Sequence, residues 1–104
     1  MSNGASTFAA ETAGAYVHLD ERALVLCDGR VTFLFERARL RWVDETLGIL
    51  LDEGRATRQQ MGHTFGGFVR GDRVTLYVVA GPALGLSITL AVEETRSLRQ
   101  QLSA

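Results

Sequence analysis

The segment that most constrains the fold is 64–79, TFGGFVRGDRVTLYVV, which has the pattern of a β-hairpin closed by Gly71-Asp72. Glycine at the first loop position adopts the positive φ that a type II′ turn requires, and the turn then sets the register. One face is apolar and is predicted to meet the core; its pairs are Val69–Val74, Gly67–Leu76 and Phe65–Val78. The opposite face consists of the pairs Arg70–Arg73, Phe68–Thr75, Gly66–Tyr77 and Thr64–Val79. A shift of one residue would expose the apolar set, so the register is well specified.

A second hairpin is predicted over 23–36. Ala23–Cys27 is a short apolar strand, Asp28-Gly29 is a strong tight-turn signal, and 31–35 returns as the partner strand. The apolar positions then change from odd to even numbers, which indicates a bulge or turn near Glu36. If residues 37–42 continue as a strand, Ala38, Leu40 and Trp42 lie on its apolar face. Arg37, Arg39 and Arg41 then lie on the opposite, basic face.

Two helices complete an α+β fold with an antiparallel sheet. A middle helix is predicted at about 44–61, with Asp44 as N-cap and Gly62 as the stop. In the alternative, 47–51 is one more strand. The alternation over 86–92 favours a strand, followed by a C-terminal helix at about 93–102, although that helix could also begin near Ile88. Residues 8–19 are predicted to form a short helix; in the alternative, the sheet already begins at Tyr16. Residues 1–7 are predicted to be a flexible tail and 8–104 a single domain.

Composition excludes several classes of function. The net charge is −1, and all 11 basic residues are arginine, so no lysine is available for a Schiff base or a Walker-type phosphate site. A chain this close to neutral has no bulk field to attract nucleic acid or an anionic membrane. No apolar run approaches the ~20 residues of a membrane span, and the first residues lack the features of a secretory signal. The single cysteine fits a reducing cytoplasm.

Candidate catalytic chemistry is sparse. Cys27 ends an apolar strand, which favours a buried and inert thiol over a nucleophile. His18 and His63 stand outside any recognised metal-ligand spacing, and surface histidine is the default interpretation for both. His63 is the better candidate for a ligand contact, because glycines lie on both sides of it. The prediction is therefore a protein with no catalytic residues, no metal site and no cofactor.

Two groups of residues are candidates for partner binding. Phe68, Tyr77 and Val79 share one face of the 64–79 hairpin, and they form an exposed apolar patch if no helix covers that face. If the middle helix covers it, they belong to the core. The second group, Arg37, Arg39 and Arg41, would form a positive strip suited to phosphate or a carboxylate-rich peptide, or else a solvated strand face.

The chain resembles class I type III secretion chaperones in AlaLeuValLeuCysAspGlyArgValThrPhe (23–33), LeuGlyIleLeuLeu (47–51), and the segments 62–68 and 73–78. The resemblance implies a non-enzymatic bacterial protein of the cytoplasm, a homodimer that holds the extended N-terminal segment of another protein. An alternative resemblance is to a pleckstrin-homology-like barrel of seven strands with a C-terminal helix, which implies a module that binds lipid headgroups or peptides. A small structural subunit of a larger assembly is a third possibility.

Overall fold

The computed structural model describes residues 5–82 and 84–103. Its elements follow the order β1 (Ser6–Ala9), β2 (Tyr16–Leu19), β3 (Ala23–Cys27), β4 (Thr32–Glu36), a 3₁₀ turn (Arg37–Arg39), α1 (Leu40–Glu53), β5 (Arg55–Gln60), β6 (His63–Arg70), β7 (Arg73–Ala80), β8 (Gly85–Ala91) and α2 (Val92–Leu102). The described strands form two four-stranded antiparallel sheets, β1-β2-β3-β4 and β5-β6-β7-β8. The predicted α+β class is confirmed. The barrel alternative is wrong, because these two sheets remain separate and open.

The hairpin β6–β7 has the predicted register at every pair from Arg70–Arg73 to Thr64–Val79. Gly71 has a φ of 64°, as the predicted turn requires. The apolar face packs inward, with Phe65, Val74, Leu76 and Val78 buried. In the first sheet β3 pairs with β4 as predicted, and the turn between them contains Asp28 and Gly29. Turn chemistry and strict alternation were therefore sufficient to predict both hairpins.

The middle helix is present but lies earlier than predicted. It occupies Leu40–Glu53 and not 44–61, and residues 55–60 form the edge strand β5. The helix ends at Gly54, which has a φ of 87° and donates its N–H to the Leu50 carbonyl. Asp44 is therefore not the N-cap. The alternative of a strand at 47–51 is wrong, and Leu47 lies inside the helix, fully buried.

The first residues form strands and not the suggested helix. β1 and β2 pair with each other, and β2 continues the ladder to β3, so the alternative in which the sheet begins at Tyr16 is the better description of 16–19. Gly14, with a φ of 83°, lies in the connection between them. β1 begins at Ser6, inside the segment predicted as a tail; residues 1–4 of that segment lie outside the described residues.

The C-terminal elements agree with the prediction. β8 pairs with β7, and α2 follows it directly. The Glu94 side chain accepts a hydrogen bond from the Ala91 N–H, which closes the start of α2. At its other end α2 is tied to α1 by Arg99, whose Nε lies 3.1 Å from the Asp44 carboxylate.

A single cluster of buried apolar side chains joins the two sheets and both helices. Val17, Leu26 and Phe35 enter it from the first sheet, and Phe65 and Leu76 from the second. Helix α1 contributes Val43, Leu47 and Leu50, and α2 contributes Leu98. Among the described residues, neither helix has the length and apolar character needed to cross a membrane.

The turn residue Asp28 is expected to make the stability of the fold depend on pH under acidic conditions. The pKa of Asp28 is lowered from its ordinary value because its carboxylate accepts hydrogen bonds from the backbone N–H groups of Val31 and Arg30. A lowered folded-state pKa adds stability above the unfolded-state value, and that stability is lost as the pH falls through the folded-state pKa. We expect the free energy of unfolding, measured with urea at pH 7 and pH 3, to fall with acid. In Asp28→Asn, whose amide oxygen still accepts hydrogen bonds, the fall should be smaller.

Candidate functional site

The outer face of the second sheet is the main candidate site. Because side chains alternate along a strand, the confirmed register places Phe68, Tyr77 and Val79 on the side opposite the core. Helix α1 packs on the other side, where the Leu50 side chain lies beside Gly67. Phe68 is 39% exposed and Val79 is 43% exposed, while Tyr77 is half-buried. We call this surface the Phe68 face; no described helix covers it.

Small hydroxyl side chains surround the three apolar residues on the Phe68 face. They come from all four strands: Thr57, Thr64, Thr75, Ser87 and Thr89. Several are already paired across the strands. The Thr75 and Thr89 hydroxyls lie 3.0 Å apart, and the Tyr77 hydroxyl bonds to that of Thr57. The Phe68 face is thus a mildly polar surface, cross-linked by hydroxyl hydrogen bonds, from which a few apolar side chains project.

The Tyr77 ring owes its position to a glycine. Gly66 lies opposite Tyr77 on β6, and Thr57 lies on the far side of Gly66 on β5. Without a side chain at Gly66, the phenol reaches across bare backbone to the Thr57 hydroxyl. The ring therefore lies along the sheet, over the Gly66 backbone.

Three arginines stand at one end of the Phe68 face, and the sequence patterns did not single them out for binding. Arg55 lies directly opposite Phe68 on β5, while Arg70 and Arg73 flank the hairpin turn. The Arg70 guanidinium lies 5.7 Å from the centre of the Phe68 ring. Arg73 pairs with Glu11 and with the exposed Asp72. Within the described part of the chain, neither Arg55 nor Arg70 has an ion-pair partner, so two unpaired arginines remain at this end.

The predicted strip of Arg37, Arg39 and Arg41 is not formed as a strand face. These residues lie in the 3₁₀ turn and the first turn of α1, where alternation no longer places alternate residues on one side. Arg39 is only 9% exposed. Its guanidinium stacks over the Phe35 and Trp42 rings at 5.0 and 5.5 Å, and its Nε donates to the Gln60 side chain at 2.9 Å. The structure gives Arg39 a packing role.

Arg37 and Arg41 share an open cleft of about 860 Å³ between the start of α1 and the end of α2. Arg37 donates to the Glu21 carbonyl at 2.6 Å, and Arg41 pairs with Glu45 one helical turn later. Acidic side chains line the same cleft: Asp20, Glu21 and Asp44. The two arginines thus come together without Arg39, and in a cleft of mixed charge.

The three residues considered for chemistry lie in separate environments. Cys27 is buried, and its Sγ accepts a hydrogen bond from the Gly29 N–H. The ring of His18 lies between the Thr7 hydroxyl, 2.7 Å from Nδ1, and the Asp20 carboxylate, 3.6 Å from Nε2. The His63 ring packs edge-on against Phe33. Among the described residues, no group of three or more His, Cys, Asp and Glu side chains is placed to hold a metal ion.

Comparisons of this chain with protein-family models, with curated proteins and with solved structures gave no match.

Proposed function

We propose that this chain is a non-enzymatic protein-binding domain of chaperone or adaptor type, which acts in the cytoplasm as a homodimer and holds an extended segment of another protein. The observation that carries the proposal is the open Phe68 face. An aromatic ring and a valine that remain substantially exposed beside a second aromatic ring are typical of an interaction surface. The resemblance of the sequence to class I type III secretion chaperones points to the same kind of activity.

The spacing of the apolar projections suits an extended chain. Phe68 and Tyr77 are diagonal neighbours on β6 and β7, which places such residues about 7–8 Å apart. Val79 follows Tyr77 by two residues on the same strand, a separation of about 6.8 Å. An extended segment repeats its side chains on one side at this same two-residue distance. Alternate apolar side chains of a partner therefore fit the gaps between these projections.

The two unpaired arginines at one end of the Phe68 face indicate that the partner segment carries an acidic residue. The Arg70 guanidinium lies next to the Phe68 ring, and Arg55 is the register partner of Phe68 on β5. A guanidinium matches a carboxylate in a bidentate hydrogen-bonding geometry. The expected partner segment has apolar residues at alternate positions and an acidic residue near one end. Its acidic end would lie beside the turn at Gly71, and its apolar part would run toward Val79.

Replacing Phe68 with serine is expected to weaken partner binding about thirtyfold or more, since truncation of an aromatic hot-spot residue at the centre of an interface costs about 2 kcal/mol or more. The experiment selects 12-residue peptides on the immobilised protein from a displayed library. It then measures their dissociation constants by fluorescence anisotropy with wild-type and Phe68→Ser protein. Selected peptides should be enriched in the alternating apolar and acidic pattern.

The matched control is Ile49→Ser. Ile49 is 38% exposed, almost the same as Phe68, but it lies on α1, away from the second sheet's outer face. This variant should bind the selected peptides as wild type does. Equal loss in both variants, or no loss in Phe68→Ser, would count against the Phe68 face as the binding surface. Thermal unfolding of both variants checks that each is folded.

A further inference from the structure

The free edge of β4 is a second exposed feature, on the other sheet. β4 pairs with β3 on one side only, and the described residues place no other strand against it. Its sequence is Thr-Phe-Leu-Phe-Glu, and Leu34 at its centre is 51% exposed. Leu34 continues an outward row with Val25 and His18 on the neighbouring strands. A strand edge that is uncharged from Thr32 to Phe35 and apolar at its centre is a template for pairing with another chain.

The hydrogen bonds of the β3–β4 turn show which backbone groups of β4 are free. The Asp28 N–H donates to the Val31 carbonyl across the turn. Hydrogen-bonded and non-hydrogen-bonded pairs alternate along an antiparallel ladder, so the pairs Cys27–Thr32 and Val25–Leu34 are of the non-hydrogen-bonded kind. The N–H and C=O groups of Thr32 and Leu34 therefore point away from β3, toward the open edge.

Both edges of the second sheet, β5 and β8, are less suited to pairing than β4. On β8, the Thr89 carbonyl already accepts a hydrogen bond from the Glu11 N–H, so the segment between β1 and β2 covers part of that edge. β5 carries two charged residues, Arg55 at its start and Arg58 in its middle, among small and amide side chains. Charged residues on an edge strand oppose uncontrolled pairing. β4 carries a charge only at its last residue, Glu36.

We propose that β4 pairs antiparallel with β4 of a second copy of this chain, about a two-fold axis at Leu34, so that the first sheet continues into its counterpart. In this register Leu34 faces Leu34 of the second copy, and each donates its N–H to the other's carbonyl. Thr32 faces Glu36 of the second copy, and the Glu36 N–H donates to the Thr32 carbonyl. No like charges oppose each other, and the Thr32 hydroxyl can donate to the Glu36 carboxylate. This self-complementarity selects a second copy as the occupant.

This inference deepens the homodimer part of the proposed function and uses a surface separate from the Phe68 face. Two five-residue strands bury less than the roughly 800 Å² per partner of a standard stable interface. The expected dimer is therefore weak, formed at about 100 μM and largely dissociated at about 1 μM. Sedimentation velocity across this range measures it directly. Leu34→Lys should remain monomeric throughout, because a charge at the centre of the edge would oppose its own copy.

Cysteine crosslinking tests the register. Opposed Cα atoms of a hydrogen-bonded pair lie about 5.5 Å apart, within the range that a disulfide spans. Leu34→Cys should therefore form a covalent dimer under mild oxidation. Thr32→Cys alone should not, while a mixture of Thr32→Cys with Glu36→Cys should crosslink. A native protein that stays monomeric at about 100 μM, or a Leu34→Cys variant that crosslinks no faster than Thr32→Cys, would overturn the inference.

Two variants distinguish the β4 pairing from peptide binding at the Phe68 face, because each should remove only one of the two activities. Leu34→Lys should lose the dimer and still bind the peptides selected on the Phe68 face, whereas Phe68→Ser should lose peptide binding and still dimerise. A Leu34→Lys variant that remains dimeric would overturn the β4 pairing, whatever its peptide affinity. Ile49→Lys serves as the control for adding a lysine at an exposed apolar position, and it should dimerise as wild type does.

Discussion

Replacing Gly66 with alanine is expected to destabilise the fold by about 2–4 kcal/mol, although the change adds a single methyl group. A Cβ at this position would overlap the Ala56 carbonyl oxygen and lie 2.9 Å from the Thr57 Cα, both backbone atoms. It would also lie 2.9 Å from the Tyr77 hydroxyl oxygen. Relief of these contacts requires β5 to move away from β6 and breaks the Tyr77–Thr57 hydrogen bond. Urea unfolding followed by circular dichroism measures the loss.

Gly85→Ala is the matched control, because Gly85 lies on the same face of the same sheet. A Cβ there would have the Val78 carbonyl oxygen at 3.4 Å as its nearest neighbour, an ordinary contact. The expected change in unfolding free energy is within about 0.5 kcal/mol. If Gly66→Ala were as stable as this control, β5 would not pack against Gly66 as described.

The hairpin β6–β7 could be predicted residue by residue because its determinants are local. Gly71 supplies the turn conformation, and alternation then assigns each side chain to a face. Which face a helix would cover is a different question. It depends on where α1 packs after the chain leaves β4, and no local pattern in 64–79 contains that information. The candidate residues Phe68, Tyr77 and Val79 were therefore identifiable from sequence, and their exposure was not.

The start of α1 was missed because two periodicities coincide there. In the run from Arg37 to Trp42, arginines alternate with apolar residues, which is the pattern of a half-buried strand. The helix instead follows a longer stripe, with Val43, Leu47 and Leu50 fully buried at helical spacing. Arg39 also favoured the strand interpretation, because a charged residue is expected on the solvent-exposed face. Its burial depends on the neighbouring Phe35 and Trp42 rings and on Gln60, which is 21 residues away in sequence.

Truncation of Phe35 to alanine is expected to cost about 3–5 kcal/mol, which is the range for a fully buried aromatic residue. Phe35 is completely buried, and its ring meets Phe33 and Phe65 edge-on at centroid distances of 4.9 and 5.2 Å. The Arg39 guanidinium covers another side of the ring at 5.0 Å. Alanine would leave a cavity, remove the Phe35–Phe65 contact between the two sheets, and remove one of the two rings that stack on the Arg39 guanidinium. Chemical denaturation with tryptophan fluorescence reports it directly, since Trp42 is a neighbour.

Phe68→Ala provides the comparison, because it removes the same side chain from an exposed position. Its expected cost is below about 1 kcal/mol, and the difference between the two variants measures how much of the stability lies at the junction of the sheets. If Phe35 supports Arg39, then Arg39→Met should cost less in the Phe35→Ala background than in wild type, by about 0.5–2 kcal/mol. Additive effects would mean that Phe35 does not support the cation, which would then be held by its other contacts with Gln60, Trp42 and His63. A chain that concentrates its stability at Phe35 can tolerate an exposed Phe68, the residue that we propose for partner binding.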